Sequence, residues 1–206
     1  MDEELGRTSS EQGLADPERI ILLNIGVVLV RKIYLIRHCE AEGQPPEAQL
    51  TDRGRKQALD LAEFFLAIKI DRIISSPYKR AIESIQPLAK RLNVQIEIDS
   101  NLTERVLSTT NLPDWSEKLR ATFDDIELKF EGGESSREAM KRIVKVVNEV
   151  FSSNNKNTII VTHGNLMSLL LKHFNKDFGF DDWKSLRNPD VFLLINESNK
   201  VTFERV

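Results

Sequence analysis

From Lys32 onward the chain alternates short β-prone apolar runs with longer amphipathic stretches, and this rhythm limits the fold more than any other feature. Ile33-Tyr34-Leu35-Ile36 is a compact apolar run ended by charge, the pattern of a buried strand. Ile70 to Ile74 predicts a second strand, stopped by Ser75-Ser76-Pro77, and Val94 to Ile98 a third, alternating one. Thr158 to Val161 predicts a fourth, and Val191 to Ile195 with Lys200 to Val206 a closing hairpin across Glu197-Ser198-Asn199. Between these runs the apolar residues recur at helical spacing. Ala58, Leu61, Ala62, Phe65 and Leu66 follow a cap at Thr51 or Asp52. Ile82, Ile85, Leu88, Ala89 and Leu92 follow Pro77, which suits a first helical turn. A helix over Leu112 to about Ile126 is expected, then a break at Gly132-Gly133. Beyond it run a helix burying Met140, Ile143, Val144, Val147 and Phe151 and one from Leu166 to Phe174. A strand–helix series of this kind predicts one α/β domain with helices on both faces of its sheet. A length of 206 residues also suits a single domain.

The start of the chain breaks the rhythm. Ile20 to Val30 is apolar for eleven residues and then meets Arg31-Lys32. It is too short to span a bilayer, and the acidic, polar stretch before it is unlike the basic start of a signal peptide. Residues 1–31 are expected to be an extension, a disordered tail plus a short apolar segment, on a domain over 32–206. A natural start near Val28 or Val30 is the alternative, and the intact mass of the native protein decides it.

Composition narrows the partners. Charged residues make up 30%, with a formal net charge of -3, which leaves no broad positive field for nucleic acid. No membrane partner is expected, and the protein is expected to be a monomer or homodimer. Cys39 is the single cysteine, so an internal disulfide is impossible and a reducing, cytoplasmic setting fits.

Four groups with chemical potential stand at predicted strand ends, where ligands of open α/β sheets collect. Arg37-His38 follows the first strand; the guanidinium fork suits phosphate oxygens and a neutral imidazole is a competent nucleophile. Arg80, in Ser75-Ser76-Pro77-Tyr78-Lys79-Arg80, falls in the first turn of a helix, where anions are favoured. Glu104, in Leu102-Thr103-Glu104-Arg105, could donate a proton to a leaving oxygen. His163 ends the fourth strand in Thr162-His163-Gly164, and Gly164 would let backbone approach a ligand closely. Each also has a plain structural reading: a surface Arg-His pair, an Arg80–Glu83 pair, a Glu104–Arg105 pair, a histidine at the core rim. His173, mid-helix, reads as structural or solvent-facing. A zinc site from His38, Cys39 and His163 is disfavoured because neighbouring strand residues point to opposite faces.

Taken in order, these motifs resemble the histidine phosphatase superfamily, also called phosphoglycerate-mutase-like. The resemblance runs from about Lys32 to the C-terminus and includes Leu50-Thr51-x-x-Gly54-x-x-Gln57-Ala58 and Gly133-Glu134-Ser135. It implies a three-layer α/β/α sandwich with a mostly parallel sheet. It implies His38 as the nucleophile that becomes phosphorylated, and Arg37, Arg80 and His163 around the phosphoryl oxygens. Glu104 would be the proton donor and then the base for water. Gln44 is the nearest amide in the first loop. The activity implied is that of a phosphatase on a small phosphorylated metabolite, with no metal or other cofactor. Cys39 stands where the family usually has glycine, and a packing role is expected for it. The short loop from Glu40 to Gln49 leaves little room for a lid, which favours phosphatase over phosphoglycerate mutase. A catalytically inactive phosphate-binding module is the third reading. Trp115, Leu119 and Phe123 could meet substrate or be simple helix core.

Overall fold

The computed structural model describes residues 30–197 and 200–206. The apolar segment at 20–30 and the rest of the expected extension lie outside the described residues, apart from Val30, as do Ser198 and Asn199 of the expected hairpin turn.

Strand β1 covers Arg31–Arg37, β2 Arg72–Ser75, β3 Ile96–Ile98, β4 Asn157–Thr162, β5 Asp190–Glu197 and β6 Lys200–Arg205. The helices are α1 Asp52–Phe65, α2 Lys79–Leu92, α3 Trp115–Asp124, α4 Ser136–Ser152, α5 Gly164–Phe174 and α6 Phe180–Lys184. The sheet order is β3-β2-β4-β1-β5-β6, with parallel pairing from β3 to β1 and antiparallel pairing on either side of β5. Only β5 runs against the rest, so the sheet is mostly parallel, as the family resemblance implied.

Alternate side chains of the strands feed two cores. Ile33, Leu35, Ile74 and Ile160 pack with Ile143 and Val147 of α4 and Leu170 of α5. Tyr34, Ile36, Ile73 and Val161 pack with Leu61 and Phe65 of α1 and Ile85 and Leu88 of α2 on the opposite face. Strands sealed on both sides are what runs such as IYLI and TIIV require. The three-layer sandwich follows.

Local chemistry sets the helix starts. Thr51, rather than Asp52, caps α1, accepting from the Gly54 N–H. Ser135 and Glu138 form a reciprocal capping box on α4. Several expected boundaries shift. Asp71 leaves the strand because its carboxylate accepts the N–H groups of Lys156 and Asn157, so β2 starts at Arg72 and runs through Ser75. Pro77 precedes α2 rather than opening it, since Ser76 still donates to Val161 O and Tyr78 takes the cap position. The third strand shortens to Ile96–Ile98, and Leu66 lies past the end of α1 and is exposed. Helix α6 was not anticipated.

Candidate active site

The carboxyl ends of β1, β2 and β4 point the same way, and the residues that follow them meet there. His38 comes directly after β1 and donates its backbone N–H to Thr162 O at the end of β4. Its side chain is fixed by one short bond, from ring Nδ1 to the Cys39 carbonyl at 2.6 Å. A carbonyl can only accept, so Nδ1 carries the proton and Nε2 is left with its lone pair. Arg80 Nε donates to that Nε2 at 3.2 Å. Burial holds the imidazolium form down to a pKa of about 3, helped by the nearby charges of Arg80 and Arg37 and opposed by the Cys39 carbonyl. His38 is therefore neutral throughout the physiological range.

Arg80 is 1% exposed, an unusual depth for arginine. The possible pairing with Glu83 is not made: Glu83 accepts from the Leu50 N–H and faces Lys79. Arg80 instead reaches back across the fold, its Nη1 donating to the Gln44 and Pro45 carbonyls at 2.9 and 2.8 Å. One guanidinium thus ties the His38 ring to the first loop. Gln44 contributes its carbonyl to that tie and lines the cavity described below.

His163 is fully buried, its ring 5.2 Å from that of His38. Its Nε2 meets Ser76 Oγ at 2.7 Å, while Nδ1 has no partner among the described residues. Burial, with His38 and Arg80 adding to it, keeps its pKa well below the ordinary value. Arg37 donates through Nη1 to Leu186 O, and its Nε is buried without a partner among the described residues. Gly164 opens α5 beneath that guanidinium; a Cβ there would stand 3.1 Å from Arg37 Cζ and Nε. The close approach that the glycine permits is thus first to Arg37.

Glu104 is not paired with the Arg105 side chain. Arg105 turns inward to Glu134 O, Thr122 Oγ1 and Ser136 Oγ. The Glu104 carboxylate accepts the N–H groups of Asn165 and Leu166 in the first turn of α5, and that of its neighbour Arg105. A carboxylate at a helix N-terminus is favoured by the free N–H groups and the dipole. Oε2 has a single backbone donor, which leaves it room to take and give a proton.

The structure brings His38, Arg37, Arg80, His163, Glu104, Gln44 and Gly164 to one end of the sheet. Four further residues went unremarked in the sequence. Ser76 holds His163, Tyr78 stacks under Arg80 at 4.9 Å, and Asn188 donates to His38 O at 2.7 Å. Asn165 is 6% exposed, and neither amide atom has a partner among the described residues. Its place directly after Thr-His-Gly was the available signal. Cys39 packs with Leu50 and Ala58 and donates its N–H to Ser84, filling the packing role expected of it. Burial pushes its thiol up to about 11. His173 is exposed on α5, and no group of three His, Cys, Asp or Glu side chains converges among the described residues. Arg37, His38, Glu104 and Gly164 form the inner end of a cavity of about 630 Å³ that opens past Leu107, Trp115 and Trp183.

A family model described as "Histidine phosphatase superfamily (branch 1)" matches residues 33–204. Phosphoserine phosphatase 1 of Hydrogenobacter thermophilus is 28% identical over 148 residues, which cover 64% of this chain and 70% of that protein. Glucosyl-3-phosphoglycerate phosphatase of Mycolicibacterium vanbaalenii is 27% identical over 168 residues, covering 68% and 72% of the two chains. A phosphoglycerate mutase structure from Bacillus anthracis superposes with a TM-score of 0.69 at 17% identity, covering 87% of this chain and 93% of its own, a likeness of fold alone. No described helix is long and apolar enough to cross a membrane. The family and its phosphatase relatives bear out the reading of the chain as a phosphomonoesterase. The chain belongs to the histidine phosphatase superfamily, as its strand-end motifs implied, and the family model places it in branch 1.

Proposed function

We propose that His38 Nε2 attacks the phosphorus of a small phosphate monoester and that water then releases phosphate from the phosphohistidine. The observation that carries this is the imidazole itself: neutral, tautomerically fixed by Cys39 O, and facing the guanidinium of a buried arginine. In the first step the N–P bond forms as the P–O bond to the alcohol breaks, and Glu104, as a carboxylic acid, gives the departing oxygen its proton. In the second, Glu104 as carboxylate takes a proton from water, whose oxygen attacks phosphorus. The N–P bond breaks and His38 returns to its neutral form.

Three buried side chains of the site have atoms without a partner among the described residues, Arg37 Nε, His163 Nδ1 and the Asn165 amide, and phosphoryl oxygens would satisfy their N–H groups. Arg80 Nε occupies the lone pair of the nucleophile, so the substrate must draw that donor onto its own oxygen before attack. Charge in phosphoryl transfer spreads over three equatorial oxygens, and Arg37 and Arg80 supply the positive counterpart without a metal. The single free, buried cysteine fits a reducing cytoplasm.

The test is phosphate release from a panel of phosphate monoesters with EDTA present, beside His38→Ala. Release that resists EDTA and vanishes in the variant is expected. Ester binding without release would make the chain an inactive binding module, and 2-phosphoglycerate forming from 3-phosphoglycerate faster than free phosphate would make it a mutase.

A further inference from the structure

The outer part of the cavity has a chemistry of its own. Trp115 of α3 and Trp183 of α6 line it, with ring centroids 6.4 Å apart at 83°. Trp115 is 52% exposed, although indole is among the costliest side chains to leave in water. The pair stands on a fixed base. Leu119 and Phe123 pack on Phe180, and Arg120 lies over the Phe180 ring at 4.2 Å while pairing with Asp181. Val106 and Leu107 continue the apolar wall.

Charge along the same lining is one-sided. The only cations among the described lining residues are Arg37 and Arg105. Arg37 belongs to the phosphate end. Arg105 is 6% exposed, and its three guanidinium nitrogens are all committed to Glu134, Thr122 and Ser136. The acids are Glu104 at the inner end and Glu40 beside the first loop. A second carboxylate or phosphate on the substrate would therefore enter a wall with no free cation among the described lining residues and two carboxylates, of which Glu40 is paired with Arg53 at 3.5 Å. Desolvating an anion there without a partner is unfavourable, whereas a flat apolar ring finds an aromatic corner.

We infer that this cavity selects phosphate monoesters whose alcohol part is uncharged and presents a flat apolar face, an aryl or sugar ring, and discriminates against alcohols bearing a second anion. The inference rests on the phosphatase reading above and names the substrate class of that site.

Four esters of primary alcohols test it with matched leaving groups: 2-phenylethyl phosphate, glucose 6-phosphate, O-phosphoserine and 3-phosphoglycerate. Each would be compared by kcat/KM on the full chain. At least one of the first two is expected to exceed both of the last two by about tenfold to a hundredfold. Which of the first two leads tells aryl from sugar. Trp115→Ala is expected to shrink the preference for 2-phenylethyl phosphate over 3-phosphoglycerate about tenfold, mostly through KM. Leu107→Arg, which adds a cation to the wall, should raise 3-phosphoglycerate relative to the uncharged esters. O-Phosphoserine or 3-phosphoglycerate equalling the uncharged esters would overturn the inference while leaving His38 as nucleophile. So would a preference that neither variant moves. No release from any of the four would instead overturn the phosphatase reading and this inference with it.

Discussion

The two ends of the cavity are built on opposite principles. At the inner end directional hydrogen bonds hold the side chains of His38, Arg80 and Glu104: His38 to Cys39 and Arg80, Arg80 to Gln44 and Pro45, Glu104 to the first turn of α5. At the outer end, contacts are aromatic edges and apolar faces between α3 and α6, with Trp115 half in solvent. Directional bonds place atoms to fractions of an ångström, as transfer of a phosphoryl group requires. Non-directional packing tolerates change, as the choice among alcohols allows. Reaction and selectivity should therefore respond separately to substitution.

The largest expected effect is at the inner end. His38→Ala should lower kcat by about 10⁴-fold or more, since it removes the proposed nucleophile. Phosphate release near the wild-type rate would break the comparison at once. Next, Arg80→Ala should cost about 10²–10³-fold, the usual consequence of removing one donor to developing charge. Because Arg80 also holds Gln44 and Pro45, part of that loss should appear in KM; Arg80→Lys, which loses the fork, should recover little of it.

A pH effect of intermediate size follows from the buried imidazole. His38 has its folded pKa depressed to about 3, so the folded state binds fewer protons than the unfolded chain. Its stabilising contribution is complete above the unfolded pKa of about 6.5 and is lost as pH falls from there towards about 3. At pH 5 the loss should be about 2 kcal/mol for this group. Urea unfolding of wild type and His38→Gln at pH 7 and 5 measures it as a steeper loss in wild type. Imidazole NMR shifts should show His38 unprotonated down to pH 5; titration near 6.5 would refute the burial argument. The smallest effect is at Cys39. Iodoacetamide should leave the folded protein unmodified and active, because the thiol is fully buried and its pKa is pushed up to about 11. Rapid inactivation would mean that the inner wall opens.

Those same two ends differed in how far they could be read beforehand. The strand-end motifs were legible because they are local. A run such as TIIV followed by Thr-His-Gly specifies a strand, a stop and a helix start within a few residues, and a parallel sheet brings such stops to one edge. Thr51 was legible as one of two candidate caps for the same reason. The direction of a long side chain was not. Arg80 could have paired with Glu83 by spacing, and Glu104 with Arg105; both pairings lost to partners far along the chain, the carbonyls at Gln44 and Pro45 and the first turn of α5. Gln57 also escaped as a support: its amide bridges the Glu40 N–H and the Asn188 carbonyl.

By itself the sequence determined the α/β class, the order of the strands that carry chemistry and the residue types at their ends. Those depend on periodicity and on caps, which act over one or two helical turns. Only the tertiary structure decided which ring nitrogen of His38 is free, that Arg80 faces it, and that Trp115 and Trp183 share a wall. Each depends on contacts between elements far apart in sequence, where packing and burial outweigh local preference. The residue types of the inner end could thus be anticipated from motifs, while the aromatic wall of the outer end emerged only when α3 and α6 were seen together.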